Sequence, residues 1–247
     1  MLSGGYIQLF FGDVENYTLV SVLKLLYLFL AYLFIENRIE LWVPGLALSI
    51  ALGFHLLAGW LIPSLIYLFI LAWKKKDRKG VLFGFLGFVA PLVLLLTYFH
   101  WNGLPTNDML YRSHALGVMR HLERYLNPLQ GSHYSSLFNL IFLLLPAIIL
   151  VPMLVINRRI GSDPFTHFLL LAASFMLAFV LLWRMQLSVY EDWNLVAPAM
   201  IPLSTLIAFS YANMPEKFKK ELILIVFGLT ATLHTSMWIV SNHFSLE

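Results

Sequence analysis

The chain has 247 residues, 60% of them hydrophobic and 12% charged, with a mean hydropathy of +0.80 and a formal net charge of +3. Soluble domains average roughly 45–50% apolar and about 25% charged residues, so this composition excludes a soluble enzyme and describes one transmembrane domain over 1–247. The absence of cysteine excludes disulfides, thiolate metal sites and cysteine nucleophiles. Nucleotide-binding glycine spacing, a Ser-His-Asp signal and a basic groove for nucleic acid are all missing, so nucleic acid is not an expected partner.

The N-terminal stretch MLSGGYIQLFFGDVENY has no basic leader and no small-residue cleavage pattern, so it is not read as a signal peptide. Its apolar part covers about eleven residues, roughly 16 Å as a helix against a hydrocarbon core of about 30 Å. Met1 is therefore expected to open an interfacial stub, or a fragment lacking an N-terminal half. Eight apolar segments follow, at about 18–35, 41–54, 57–73, 80–99, 136–156, 164–185, 195–211 and 222–240, which predicts an all-α polytopic bundle. The run from Leu41 to Trp73 is too long for one crossing and short for two, with GFHLLAG at its middle; it predicts two short helices meeting at a turn around His55.

Lysine and arginine orient the segments, because cytoplasmic loops keep the excess of positive charge. KKKDRK (74–79), NRR (157–159), EKFKK (216–220) and ENRIE (36–40) carry eleven of the sixteen basic residues, and alternation places all four on one side. The opposite, outer face then receives GDVENY (12–17), the GFHLLAG turn, the loop 100–135, YEDWN (190–194) and the C-terminal SNHFSLE. Carboxylates, imidazoles, indoles and tyrosines gather on that face, which is where binding or chemistry is expected.

The loop 100–135 is longer than a connection requires. Within it, Thr106, Asn107 and Asp108 supply a helix start and Pro128 a stop, while Met109, Leu116, Met119, Leu122 and Leu126 form one apolar stripe. This predicts an amphipathic helix lying in the membrane interface. Its Arg112, Arg120 and Arg124 either meet lipid headgroups or clamp the phosphate of a lipid-linked substrate, for which a guanidinium fork is suited. His114 and His121 are seven apart, too far to chelate one ion from adjacent turns, and no compact ligand motif occurs, so no metal site is assigned.

Two cations, Lys24 and Arg184, interrupt apolar runs. Snorkelling to the interface is one reading of each; the sharper one pairs Arg184 with Asp192 or Glu191, or either cation with a substrate phosphate. Asp13 and Glu15 before Tyr17, and Glu191 and Asp192 before Leu195, stand where helix caps are expected. A cap needs one such residue, whereas YEDWN supplies two acids and an indole at the membrane edge. An aromatic belt accounts for Trp193 alone.

Four blocks, FFGDVENYTLV (10–20), GFHLLAGWLIPSLIYL (53–68), GSHYSSLFNLIFLLLPA (131–147) and YEDWNLVAPAMIPL (190–203), resemble in order and spacing the later part of bacterial membrane glycosyltransferases of the GT-C class, the group that includes protein mannosyltransferases and aminoarabinose transferases. The resemblance implies a polyprenyl-phosphate-linked sugar as donor, transferred at the non-cytoplasmic face of the inner membrane to a lipid, glycan or protein of the cell envelope. Glu15, Tyr17, His55, His133 and Asp192 match its polar positions, with Arg112, Arg120, Arg124, Arg184 and Trp193 as further binding candidates. If one residue takes the acceptor hydroxyl's proton it must be a carboxylate, and Asp192, Asp13 and Glu15 are the candidates. The resemblance assigns no cofactor and leaves a divalent metal open. The class carries its catalytic acid in a large outer loop after the first membrane helix, and this chain has none, so it implies either an absent N-terminal half or a partner chain. A different class of protein, a transporter or a non-catalytic lipid-binding subunit, is the alternative; transporters usually show two related halves, and no internal repeat is evident.

Overall fold

The computed structural model describes residues 17–103, 131–151, 163–182, 193–213 and 220–243. They are mostly helical, joined by short turns, with no strand among the described residues. In chain order they form α1 (Tyr17–Ile35), α2 (Trp42–Phe54), a 3₁₀ turn (Leu56–Leu61) leading into α3 (Ile62–Lys74), α4 (Arg78–Trp101), α5 (Gly131–Leu144) with a 3₁₀ turn (Pro146–Leu150), α6 (Pro164–Leu182), the one-turn α7 (Trp193–Val196), a 3₁₀ turn (Ala197–Met200) with α8 (Ile201–Ala212), and α9 (Lys220–His243).

The expectation of an all-α membrane bundle is met, and the count of about eight membrane segments is corrected. Five stretches among the described residues are long and apolar enough to cross a bilayer: Tyr17–Ile35, Leu56–Lys74, Arg78–Trp101, Pro164–Leu181 and Asn194–Ala212. The shortfall has local causes. α2 has 13 residues, roughly 20 Å at 1.5 Å per residue. The segment from Gly131 is broken between Leu144 and Pro146, and the apolar part of α9 runs only from Leu224 to Met237. The predicted interfacial helix lies in 104–130, outside the described residues.

Each helix sorts its residues by face. In α1, Val20, Ser21, Lys24, Tyr27, Leu28, Ala31 and Phe34 are buried, while Leu19, Val22, Leu25, Leu26 and Phe29 are exposed. In a chain of this composition the second stripe is the lipid-facing one. α6 runs through the centre, packed on α1, α3 and α8, with Phe168 and Met176 fully buried. α4 is peripheral and joins the bundle chiefly through α2. There the backbones approach closely: a Cβ on Gly84 would stand 2.6 Å from Leu41 Cγ, and one on Gly87 2.8 Å from the Trp42 carbonyl oxygen.

Helix ends show that the chain folds back on itself. α1 stops in a Schellman motif: Arg38 N–H donates to the Leu33 carbonyl and Asn37 N–H to that of Phe34, with Asn37 left-handed at φ 58°. α3 stops the same way, through Asp77 to Ala72 and Lys76 to Trp73, with Lys76 at φ 61°. Lys75 donates from Nζ to Asn37 Oδ1 and lies over the Phe34 ring, so the two connections touch. Asp77 caps α4 by accepting from Gly80 N–H, and Asp163 caps α6 by accepting from Thr166 N–H. Rings of Tyr32, Phe165 and Phe209 meet at this same end, with centroid distances of 5.0 Å and 4.9 Å. At the other end Tyr17 meets His55 and Trp60 meets Phe179.

Candidate functional site

The end away from the basic loops holds the polar residues that packing alone does not require. His55 stands at the break between α2 and the 3₁₀ turn, with an extended backbone at φ −159°. Its own N–H still closes α2 on the Ala51 carbonyl, and its Nδ1 accepts from Leu57 N–H at 3.0 Å, so the side chain caps the turn that follows. With Nδ1 an acceptor, the neutral ring carries its proton on Nε2. Burial, and after it the Lys24 ammonium, hold this imidazole below its ordinary range, so the ring is neutral at pH 7. The Tyr17 ring lies against it, 5.1 Å between centroids.

Two turns into α1 from Tyr17, Lys24 is fully buried, which corrects the expectation that it snorkels. It belongs to the buried stripe of α1, and its tip points into the bundle. Nζ donates to the Pro198 carbonyl at 3.3 Å and lies 3.9 Å from Met176 Sδ. The carbonyl is available for a reason written in the sequence PAMIP. Pro202 has no N–H, and in a continuous α-helix its N–H would serve the carbonyl four residues back, that of Pro198. α7 and α8 are joined by a 3₁₀ turn at this point, and Lys24 Nζ of α1 donates to the carbonyl that lacks this amide. Among the described residues no carboxylate partners Lys24; its neighbours are a neutral oxygen and a sulfur.

Below this site, Tyr27 and Ser64 form a closed polar link. Ser64 Oγ donates to the Leu61 carbonyl at 2.6 Å, so Tyr27 OH, 2.9 Å away, donates to Ser64. Each member is satisfied, which makes this pair a clamp between α1 and α3. His234, on α9, packs edge-on against Phe142 at 4.6 Å, away from these groups.

Of the residues singled out from sequence, the structure brings Tyr17 and His55 together. His133 lies in the first turn of α5, and Trp193 opens α7 immediately before the break that supplies the Pro198 carbonyl; their backbones alone are described. Asp13, Glu15, Arg112, Arg120, Arg124, Arg184 and Asp192 lie outside the described residues. Pro198 and Met176 were not anticipated as partners of Lys24. The signal for Pro198 was present in the spacing of two prolines four apart, whereas Met176 is brought in by tertiary packing. Among the described residues no cluster of three or more metal-ligating side chains occurs.

Comparison with protein-family models, with curated proteins and with solved structures gives no match.

Proposed function

We propose that this chain is a GT-C-like membrane glycosyltransferase, or the later portion of one, that binds a polyprenyl-phosphate-linked sugar at the end of the bundle opposite its basic loops. The positive-inside rule makes that end non-cytoplasmic. The observation that carries the reading is Lys24: a lysine side chain fully buried in an apolar bundle, held by neutral acceptors and without a carboxylate partner among the described residues. Burying an unpaired charge is costly, by several kcal/mol even after relaxation, and intramembrane charges that persist mark sites for ligands or ions. A phosphodiester supplies the missing charge. The neutral His55, with Nε2–H free to donate, adds a second contact beside it.

In the reaction this site supports, an acceptor hydroxyl oxygen attacks the anomeric carbon of the sugar. The bond from that carbon to the phosphate oxygen breaks, and the polyprenyl phosphate leaves with the electron pair. Lys24 and His55 stabilise the charge that gathers on the departing phosphate. The hydroxyl proton passes to a carboxylate, Asp192 first among the candidates, with Asp13 and Glu15 behind it. Tyr17 offers a ring to the sugar or the prenyl chain, and Trp193 is a further binding candidate from the resemblance.

The test is native mass spectrometry of the purified protein with a polyprenyl phosphate. One molecule per chain is expected to be retained, with retention lost in Lys24→Met and kept in Lys24→Arg; equal retention by all three removes the site. Asp192→Ala is expected to abolish sugar transfer while leaving both retention and membrane abundance unchanged.

One observation favours a second reading, a transporter. The segments at His55 and at Ala197–Met200 are interrupted helices, and Lys24 reaches the second of them; broken helices frame substrate sites in many carriers. Vesicles containing the protein separate the two: a carrier moves a lipid-linked or free sugar across the bilayer with no new glycosidic bond, and a transferase makes the bond.

A further inference from the structure

At the opposite, basic end, α3 and α4 border an open, shallow groove of about 430 Å³ lined by Phe69, Arg78, Val81, Leu82 and Phe85. This volume falls in the range of small-molecule sites, roughly 300–1,000 Å³. Four of the five lining residues occupy positions 78, 81, 82 and 85 of α4, one stripe at spacings of three and four. The stripe is polar at one end only. It starts with a guanidinium at the mouth of α4 and continues apolar for about 10 Å along the axis, with Leu82 and Phe85 more than half exposed. Phe69 of α3 forms the facing wall, and its ring rests where α4 has no side chain, since a Cβ on Gly84 would stand 3.1 Å from Phe69 Cε1.

The charges around the mouth are unequal. Lys74, Lys76 and Lys79 are exposed next to Arg78, and Lys75 is held by Asn37. The adjacent acid, Asp77, is engaged with the Gly80 amide as the cap of α4. Arg78 is exposed, and no hydrogen bond or ion pair joins its guanidinium to any of the described residues.

We infer that this groove holds an anionic phospholipid of the leaflet on the basic side, its phosphate on Arg78 and an acyl chain along Val81, Leu82 and Phe85. The order of polarity along the stripe is that of a phospholipid lying beside a membrane helix: charge at the surface, hydrocarbon inward. A guanidinium fork suits a phosphate, and cationic residues beside a membrane favour anionic lipids. This lipid contacts neither Lys24 nor His55 and is independent of any donor bound at the other end.

The experiment is native mass spectrometry of delipidated protein titrated with phosphatidylglycerol and, separately, phosphatidylcholine. Wild type is expected to retain one phosphatidylglycerol in preference to phosphatidylcholine. Arg78→Gln is expected to cut that preference about fivefold, while Lys79→Gln, outside the lining, leaves it unchanged. Val81→Trp, which fills the groove, is expected to lose both lipids. If Val81→Trp does not fold, phosphatidylglycerol carrying a photoreactive acyl chain is crosslinked to wild type, and the label is expected on 81–85. A Lys79→Gln effect equal to that of Arg78→Gln makes the attraction diffuse and overturns the site, as does label confined to other helices or an absence of preference for the anionic lipid.

Discussion

Lys24 is the residue at which stability and the proposed function pull in opposite directions. Its hydrogen bond to the Pro198 carbonyl contributes roughly 1.5–3 kcal/mol, as bonds to charged groups do. Desolvating an ammonium costs several kcal/mol, so desolvation outweighs the bond. Lys24→Met, which keeps the length of the side chain and removes the charge, is therefore expected to melt at the wild-type temperature or above it in detergent while losing polyprenyl phosphate. A variant that melts well below wild type and still retains the lipid makes Lys24 a structural pin. The Tyr27–Ser64 link permits a second comparison. Tyr27→Phe removes a donor and leaves Ser64 bonded to the Leu61 carbonyl, whereas Ser64→Ala leaves a buried Tyr27 hydroxyl without its acceptor. Interhelical hydrogen bonds in membranes average about 0.6 kcal/mol, and an orphaned buried donor costs about 1–3 kcal/mol. Denaturant unfolding is expected to rank Ser64→Ala as the more destabilised; the reverse order shows that the hydroxyl finds another partner. At this scale Tyr17 and His55 were legible because polar residues in apolar runs stand out. The burial of Lys24 was not, since its position toward the end of a helix is compatible with snorkelling until the buried face of α1 is known.

At the scale of the element, the segments were legible and their interruptions only partly so. The two helices meeting at His55 follow from a run of awkward length with glycines at its middle. The breaks before Pro146 and at Ala197–Met200 needed the proline rule applied inside runs that hydropathy reads as continuous. Glycines at 84 and 87 signal close packing, but nothing in their spacing names α2 as the partner. That contact is testable. A methyl at Gly87 meets the backbone of Trp42, which cannot rotate away, whereas one at Gly59 finds Leu52 Cδ1 at an ordinary 3.5 Å. Gly87→Ala is expected to destabilise by ~1–3 kcal/mol, the usual cost of overpacking, and Gly59→Ala by much less, both read from thermal melts. The Schellman turn of α3 offers the opposite sign. Lys76 holds a left-handed conformation that costs an ordinary residue roughly 1–2 kcal/mol and glycine almost nothing. Lys76→Gly is expected to raise the melting temperature; a fall would show that the lysine side chain contributes more than the strain removes.

Over the whole molecule, ring contacts and one hydrogen bond leave little freedom in how the ends are arranged. Lys75 on Asn37 ties the loop after α1 to the loop after α3. The rings of Tyr32, Phe165 and Phe209 tie the end of α1 to the start of α6 and the end of α8. These four chain positions therefore share one end of the bundle, whichever way the bundle is inserted. The chain leaves that end along α4 and reaches Trp101 at the other, so the return to Pro164 is made within 102–163. α5 and the 3₁₀ turn after it, 14 and 5 residues, rise together about 31 Å, enough for the return despite the break. What remains is the choice between two orientations of one arrangement, and the positive-inside rule gives the expectation to test. The natural chain has no cysteine, so single cysteines report without background. With a membrane-impermeant maleimide on intact cells, Asn102→Cys is expected to be labelled, and Glu36→Cys, Lys79→Cys and Asn213→Cys only after permeabilisation. The opposite pattern in all four inverts the molecule and moves Lys24 and His55 to the cytoplasmic side, where a donor presented from the cytoplasm would be required. A split among Glu36, Lys79 and Asn213 contradicts the shared end itself, and with it the packing of α6 against α1 on which the site around Lys24 depends.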